Sequence, residues 1–415
     1  GPHTRGNAGS HGGGLSMGRP LRLLVQGSRE STRIALLDET RLLEFYQEDT
    51  GTESLVGSVF LGRVERVLPD VKAAFVKLGL AQNGFLPLRE AESYHRACGN
   101  APLLTGQDVL VQVKKDPKGE KGAFLTRDIG LLGQYVLLMP KNRFVGLSRR
   151  VTDENDRTRA REMGKRIADG RFGIIVRHAA LFAPVKQVEA EAEALWQGWC
   201  EIEQHAQYVK APALLHEEPA TLDVLLRDYA ARHPIEVLSQ CRPSETLPQG
   251  VTWQTLSMLE MEAAWSAARV EKQVDEALCR RIPLPGGGSL VIDEREALTT
   301  IDVNSGSAAT AAGGESLAME ENLRAAAEAA RQIRLRNLSG ILLIDFIDMQ
   351  SDAERARVLA AMEEAASDDR VKTVIHGFTS LGLLEMTRKR TRDTLSDTLT
   401  QPCDACHGTG RVRRN

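Results

Sequence analysis

The sequence predicts a multidomain α/β protein that contains a small barrel of the OB type. Two apolar runs, 298–303 and 341–347, flank an Ala-rich helical segment, and this strand–helix–strand order predicts two parallel neighbouring strands. From Gly57 onward, short alternating strands are separated by glycine, which is typical of a small barrel. The run Pro-Leu-Pro-Gly-Gly-Gly at 283–288 interrupts the chain and indicates a domain boundary.

The bulk composition limits what the protein can be. A chain of 415 residues is long enough for two to four domains, and its net charge of −3 restricts any polyanion site to a local patch. The six cysteines are scattered except for one Cys-x-x-Cys, which favours a reducing, cytoplasmic location. No apolar run approaches the roughly 20 residues of a membrane span, so no membrane partner is expected. Residues 1–20 lack the apolar core of a signal peptide and are interpreted as a tag or disordered tail.

The first half of the chain predicts strands and two candidate binding features. Residues 21–25, 33–37 and 42–47 predict short strands that must join a sheet completed from elsewhere. In the barrel segment, Phe75 and Phe85 lie near basic residues and are candidates for a platform that stacks bases; the alternative is that both rings are core.

A run from Gly173 to His178 predicts a buried strand that ends in two side chains able to bind phosphate. Arg177 can form a fork of hydrogen bonds to phosphate, and His178 can donate one more. An exposed Arg-His pair at a strand end, without a ligand, is the alternative.

Acidic side chains close both strands of the strand–helix–strand segment. Asp302 and Asn304 share a face of their strand, and Asp345 lies within the apolar run of the next strand. The carboxyl ends of parallel neighbours meet at one edge of a sheet, so the two aspartates should lie side by side. Two carboxylates and an amide suit a Mg²⁺ or Mn²⁺ ion that keeps several waters. Asp348 is interpreted either as a helix-entry residue before the capping box that begins at Ser351 or as a helper of this site.

The C-terminal part contains a basic run and a pair of thiols. Residues 382–392 predict a helix with a cluster of positive charge, and Arg388, Lys389 and Arg390 are candidates for contacts with RNA phosphates; a solvated helix face is the alternative. Cys403 and Cys406 form a zinc half-site. A second copy of the chain is the simplest source of the other two thiolates, although His407 as a third ligand and a redox motif are alternatives.

The motifs IDVNSG, ILLIDFIDM, LGLLEMTRKR and CDACHGTG together resemble those of the bacterial RNase E/G endoribonucleases, with LGLLEMTRKR closer to the RNase G side. The resemblance runs from about Leu21 to the end of the chain. It implies an RNase H-like domain without that enzyme's chemistry, a DNase I-like catalytic domain, and the following division: RNase H-like domain 21–50 and 213–282, OB-type (S1-like) RNA-binding barrel 51–128, 5′-sensor domain 129–212, catalytic domain 283–400, and zinc link 401–415.

The resemblance also implies roles for individual residues. Asp302 and Asp345 would hold Mg²⁺, and Asn304 would orient them or the phosphate. In the sensor, Arg177 would clamp a 5′-monophosphate, although His178 stands where the family pattern has Thr. The remaining implied roles are RNA binding by Phe75, Phe85, Lys115 and Lys121, and binding of a Zn²⁺ ion shared between two chains by Cys403 and Cys406.

Together with the predicted metal site, the resemblance implies a metal-dependent endoribonuclease that cleaves single-stranded RNA. The resemblance implies rRNA processing or mRNA decay, 5′-monophosphate sensing, a homodimer joined through zinc, and products with a 5′ phosphate and a 3′ hydroxyl. The rival hypotheses are a noncatalytic RNA-binding scaffold and a metal phosphoesterase that acts on DNA or small phosphates.

Overall fold

The computed structural model describes residues 19–27, 31–49, 54–89, 102–243, 247–306, 314–406 and 408–412. Residues 1–18, most of the predicted tag or tail, lie outside this description. The chain divides into two compact units. The first comprises Gly1–Gly51, Pro234–Thr246 and Thr252–Asn415, and the second comprises Thr52–His233 and Leu247–Val251. The finer division into six segments stays a prediction.

The elements of the described residues are, in chain order, the strands β1 (Leu21–Gly27), β2 (Ser31–Asp38), β3 (Arg41–Asp49), β4 (Val59–Leu68), β5 (Ala73–Lys77), β6 (Gly84–Pro87), β7 (Asp108–Lys115), β8 (Phe124–Thr126), β9 (Leu131–Leu132), β10 (Val136–Met139), β11 (Val145–Leu147), β12 (Gly173–Val176), β13 (Ala213–His216), β14 (Ile235–Ser239), β15 (Val251–Thr255), β16 (Arg281–Pro283), β17 (Ser289–Glu294), β18 (Leu298–Asn304), β19 (Gly340–Asp345), β20 (Thr373–Phe378) and β21 (Leu384–Arg388). The α-helices are α1 (Glu154–Ala168), α2 (Val185–Tyr208), α3 (Thr221–Ala230), α4 (Met258–Ala267), α5 (Val270–Leu278), α6 (Gly314–Leu335), α7 (Asp352–Ala366) and α8 (Leu395–Leu399), and a 3-10 helix spans His178–Phe182.

The three predicted N-terminal strands form one sheet of the first unit, in the order β15-β14-β1-β2-β3. Strand β1 is antiparallel to β2 and parallel to β14, in which Glu236 lies 214 residues after its partner Arg22. Phe45 of β3 packs edge-on against Trp265 of α4 in the buried core. The prediction that these strands need partners from elsewhere in the chain is therefore confirmed.

The second sheet of the first unit carries the strand–helix–strand segment, in the order β16-β17-β18-β19-β21-β20. Strands β18 and β19 are parallel neighbours on either side of α6, as predicted. One face buries alternate apolar residues such as Leu290, Ile301 and Ile344 against Ala325 and other residues of α6 and α7. Along β18 the residues between the buried ones are exposed or half-buried, so the opposite face is open and polar. We call it the open face.

The predicted helix at 382–392 is wrong, because residues 384–388 form strand β21. Leu384 and Met386 are buried in the core while Glu385 and Thr387 point away from it. This period of two belongs to a strand, and it outweighs the helix-forming composition of the segment. The basic residues after the strand lie outside any helix.

The second unit contains the predicted barrel. Its strands follow the order β4-β5-β6-β8-β7, an additional pairing of β4 with β7 closes the cylinder, and β13 extends β4 at the edge. Alternate residues, including Val64, Val76, Leu86 and Val111, fill the interior. Five strands closed in this way are consistent with the predicted OB-type architecture.

A separate small sheet in the second unit has the order β11-β12-β10-β9 and packs on α1 and α2. The predicted buried strand at 173–178 is β12, which ends at Val176, one residue before Arg177. No helix in the described parts of either unit is both long enough and apolar enough to cross a membrane.

Candidate active site and binding surfaces

Asp302 and Asp345 meet on the open face, at the carboxyl ends of β18 and β19. The parallel register pairs them directly, and residues paired across neighbouring strands share a face. Asn304, two residues along β18, donates a hydrogen bond from Nδ2 to Asp302 Oδ2 at 2.8 Å. The structure therefore brings together the three residues predicted from the alternation in the sequence.

Negative charge accumulates at this site. Partial burial raises the pKa of Asp345, and the carboxylates of Asp302 and Asp348 raise it further. A divalent cation among these groups would remove the repulsion, so the donor set fits Mg²⁺ or Mn²⁺. Among the described residues, no group of three or more His, Cys, Asp or Glu side chains is arranged to hold a metal. An ion held by Asp302 and Asp345 alone would leave positions for water and substrate.

Helix α6 holds the segment after β19 through hydrogen bonds to its backbone. Asn322, fully buried, accepts a hydrogen bond from the Ile347 backbone N–H at 2.9 Å and donates to the Ile347 carbonyl at 2.8 Å. Ser351 and Glu354 form the predicted capping box. The N-cap of α7 is therefore Ser351 and not Asp348. Sequence reasoning missed Asn322, because only the tertiary structure brings α6 to this backbone.

Three phenylalanines form a row on the outside of the barrel. Phe75, Phe85 and Phe124 are paired across β5, β6 and β8, and each neighbouring pair has ring centroids 5.9 Å apart. All three rings are half-buried, and none belongs to the barrel core. The structure thus excludes the alternative that Phe75 and Phe85 are core residues. We call these three residues the aromatic row.

Cations lie at both ends of the aromatic row. The Arg66 guanidinium carbon is 6.0 Å from the centroid of Phe75, and Lys115 Nζ is 5.4 Å from that of Phe124. Sequence reasoning identified Lys115 and missed Arg66 and Phe124, because the strand register alone reveals that they join the row. Lys121 is exposed in the loop between β7 and β8, where its backbone pairs with that of Lys118.

Arg177, the predicted phosphate clamp, is engaged by protein atoms. Nη1 donates to the carbonyls of Gly133 and Gln134 at 2.5 and 3.2 Å, and both terminal nitrogens lie 3.3 Å from the buried carboxylate of Asp228. Arg177 therefore holds the loop between β9 and β10 in this structure. A phosphate would have to compete with Asp228 for it.

The same loop is held from its other side by Glu191 of α2, which sequence reasoning also missed. The Glu191 carboxylate accepts hydrogen bonds from the backbone N–H groups of Gln134, Tyr135 and Val136 at 2.5, 2.7 and 3.1 Å. Burial raises the pKa of Glu191, against the lowering effect of these bonds. A side chain at Gly133 would collide with this carboxylate, so the close approach requires glycine there.

His178 lies in a positive environment. Burial lowers the pKa of His178, and the charges of Arg232 and Arg150 lower it further, against the opposing charge of Asp156. Its ring packs edge-on against Phe182, with centroids 5.0 Å apart. The lowered pKa favours the neutral form of His178, and the positive field of the two arginines around it suits an anionic ligand.

The basic run that starts at Arg388, the last residue of β21, divides between the interior and the surface. Arg388 is buried, donates to Asp369 at 2.7 and 3.2 Å, and bonds Asn337 Oδ1 at 2.8 Å. It is therefore not placed to contact RNA, and its role here is structural. Lys389 and Arg390 are exposed, and Arg390 donates to Ser339 Oγ at 3.2 Å.

The Cys403–Cys406 turn has the local geometry of a thiolate site. Hydrogen bonds from the backbone N–H groups of Cys406 and Ala405, with a further one from the Cys406 side chain, lower the pKa of Cys403. Gly408 and Gly410 adopt positive φ values of 82° and 70°, which glycine tolerates best. The proposed alternative ligand His407 lies outside the described residues.

Comparison with known proteins places this chain in one family. The model of the Ribonuclease E/G family matches residues 130–391, and the chain belongs to that family. Among its relatives is ribonuclease G of Escherichia coli K12, which is 35% identical over 413 residues that cover 94% of this chain and 84% of the relative. Ribonuclease G of Haemophilus influenzae is 34% identical over 415 residues, with 95% and 84% covered. Ribonuclease E of E. coli K12 is 35% identical over 416 residues, which are only 39% of its length. The resemblance predicted from the motifs is confirmed.

Proposed function

We propose that this protein is a Mg²⁺-dependent endoribonuclease that cleaves single-stranded RNA. The observation that carries the proposal is the pairing of Asp302 with Asp345 on the open face, with Asn304 bonded to Asp302. The names of its relatives, ribonuclease G and ribonuclease E, support RNA as the substrate.

In the proposed mechanism, Asp302 and Asp345 hold the cation and Asn304 fixes the orientation of the Asp302 carboxylate. A bound Mg²⁺ would supply charge neutralisation at the scissile phosphate and lower the pKa of a water molecule. Both carboxylates project from neighbouring strands of one sheet, a rigid base that keeps their separation constant during the reaction. Water would attack in line, and the products would carry a 5′ phosphate and a 3′ hydroxyl.

RNA would reach the protein through stacking and through phosphate contacts. The aromatic row offers three half-buried rings, on which successive bases would stack without regard to their identity. Arg66, Lys115 and Lys121 would neutralise the backbone beside it. We call the sheet that carries Asp302 and Asp345 the catalytic sheet. Lys389 and Arg390 directly follow its strand β21 and are the exposed members of the basic run that remain candidates for the same role.

The sensing of a 5′-monophosphate is proposed for the surroundings of His178, with the charges of Arg150 and Arg232. Arg177 would contribute by holding the loop 133–136 and, if the phosphate displaces Asp228, by direct contact. In its neutral form, which its lowered pKa favours, His178 would donate a single hydrogen bond to the phosphate.

Assembly and architecture complete the proposal. Cys403 and Cys406 would bind one Zn²⁺ together with the same residues of a second chain and so form a homodimer. The first unit would combine an RNase H-like domain with a DNase I-like catalytic domain, and the second would combine an S1-like barrel with the sensor. A cytoplasmic role in rRNA processing or mRNA decay follows from the same family resemblance.

One cleavage assay tests the proposal and its rivals. A 5′-labelled single-stranded RNA and the DNA of the same sequence are incubated with the protein while Mg²⁺ is titrated. We expect the protein to cut the RNA internally and to leave the DNA intact, and we expect a chelator to stop the reaction. RNA binding without cutting would favour the noncatalytic scaffold, and equal cutting of DNA would favour a general phosphoesterase.

A further inference from the structure

An arginine lies on the same row of the open face as the two aspartates. Across the sheet, Arg281 of β16 is paired with Val291, Val291 with Asp302, and Asp302 with Asp345. The next residue of β16, Ile282, points into the core on the other face. Arg281 is exposed and projects from the open face, two strand spacings or roughly 10 Å from the Asp302 backbone.

One hydrogen bond directs Arg281 along the sheet. Its Nη1 donates to Ser289 Oγ at 3.1 Å, and Ser289 is itself nearly buried. Ser289 is paired with Asn304 in the register, and Asn304 donates to Asp302. The guanidinium therefore reaches β17, the strand that lies between β16 and the strand of Asp302 and Asn304.

The neighbouring arginine shows why Arg281 is the available cation. Arg280 donates to both oxygens of Asp293 at 2.7 and 2.6 Å. The bonds to Asp293 and, to a smaller extent, the charge of Asp302 raise the pKa of Arg280, so its charge is already compensated by these carboxylates. Arg281 contacts only a neutral hydroxyl and forms no ion pair with any described carboxylate. Its positive charge and its remaining N–H donors are thus free to meet a ligand on the open face.

We propose that Arg281 is a catalytic residue that donates hydrogen bonds to a non-bridging oxygen of the scissile phosphate. The inference rests on the proposed function. In the hydrolysis, a bond forms between the water oxygen and phosphorus, the bond from phosphorus to O3′ breaks, one water proton passes to solvent, and O3′ takes up a proton. The phosphate gains negative charge on the way, whereas Asp302 and Asp345 bring only negative charge. The guanidinium of Arg281, on the same row of the open face, is a positive donor group that the chain itself supplies.

The test compares Arg281→Ala, Arg281→Gln and Arg281→Lys with the matched control Arg295→Ala. Arg295 is an exposed arginine of the same sheet, located in the turn after β17. Cleavage of a single-stranded RNA in Mg²⁺ gives kcat and KM. Fluorescence anisotropy in a chelator gives the affinity for uncut RNA, and thermal melting checks the fold.

We expect Arg281→Ala to lower kcat by about 10²- to 10³-fold, the usual effect of losing one transition-state donor. The KM and the affinity in chelator should stay within about threefold of wild type, because the contact strengthens only as charge develops. Arg281→Lys should recover part of kcat, and Arg295→Ala should match wild type. If Arg281→Ala melts early, Arg281→Gln, which keeps a side chain long enough to pack on Ser289, carries the comparison.

Two results would overturn the inference while leaving the proposed function intact. One is a wild-type kcat in Arg281→Ala or Arg281→Gln, and the other is a loss of affinity with kcat unchanged, which would make Arg281 a binding residue only. A wild-type protein that fails to cut RNA, or an Asp302→Asn variant that still cuts it, would instead refute the proposed function and the inference with it.

Discussion

The catalytic sheet and the barrel both display a row of side chains across neighbouring strands. The two rows differ in whether their side chains repel or attract one another. On the catalytic sheet, partial burial raises the pKa of Asp345, and the neighbouring carboxylates of Asp302 and Asp348 raise it further by repulsion. On the barrel, the rings of Phe75, Phe85 and Phe124 attract one another, in edge-on and tilted contacts 5.9 Å apart. Under the proposed function a cation would offset the repulsion in the first row, whereas the rings of the second row need no added group. We infer that the first serves chemistry and the second serves binding.

The largest effect is expected from Asp345→Asn, which tests whether the first row serves chemistry. The amide would weaken the hold on the cation, and the loss of several kcal/mol of charge stabilisation should reduce kcat by roughly 10³-fold or more. Affinity for uncut RNA in a chelator should be unchanged. Single-turnover cleavage and anisotropy measure the two quantities.

The matched control for this variant is Asp352→Asn. Asp352 is a fully exposed carboxylate in the first turn of α7, paired with Arg355. Its replacement by asparagine should leave kcat at the wild-type value. Full activity in Asp345→Asn would remove the catalytic sheet from the mechanism.

The second largest effect is expected from Phe85→Ala, in the middle of the aromatic row. Loss of one stacked base should weaken RNA binding by about 1–3 kcal/mol, roughly 5- to 150-fold in Kd, while kcat at saturating RNA stays near wild type. Phe85→Trp should retain affinity. Val71→Ala, an exposed apolar side chain in the β4–β5 turn of the same barrel, is the control. An unchanged Kd in Phe85→Ala would contradict the binding role of the row.

A smaller, twofold change in the mass of the particle should follow from replacing both Cys403 and Cys406 by alanine. This variant tests how two chains assemble and leaves both rows unchanged. A zinc ion shared by four thiolates predicts about 0.5 zinc per chain in wild type and none in the double variant, together with a halved mass in sedimentation. Cys241→Ala removes another exposed free thiol and should change neither. A zinc-free dimer would place the contact between chains elsewhere.

The smallest effect is expected on thermal stability, and it tests whether the carboxylates of the first row destabilise the fold. Because the folded-state pKa of Asp345 is raised, its ionised form costs stability above that pKa, and the cost disappears as the pH falls through it. In a chelator at neutral pH, Asp345→Asn should therefore melt slightly above wild type, and the gap should close in acid. Melting scans at several pH values measure this. A lower melting point for the variant at neutral pH would mean that the carboxylates do not strain the fold.

Much of the catalytic site could be predicted because it depends on local periodicity. The alternation of β18 places Asp302 and Asn304 on one face, and the length of α6 makes β18 and β19 parallel neighbours. The same logic failed at 382–392, where a helix-forming composition hid a strand with Leu384 and Met386 inside. In that segment, burial against the core decided the structure.

The arginines illustrate what local patterns miss. Arg177 and Arg388 each occupy a basic motif, yet each binds a carboxylate from a distant part of the chain, Asp228 and Asp369 respectively. Arg281, in contrast, has no conspicuous motif and lies on the row of the aspartates. A charged side chain is available to a substrate only if no internal partner has claimed it, and partners are a property of the folded chain.

By itself, the sequence determined the family, the order of strands and helices around the acids, and the face on which Asp302 and Asn304 lie, because these follow from motif and period. The tertiary structure alone decided that Phe124 and Arg66 join the aromatic row, that Asn322 supports the segment after β19, and which of these arginines bind a carboxylate of the protein. The physical reason is that strand register and burial bring together residues that are far apart in the chain, and only those contacts fix the charge and exposure of each side chain.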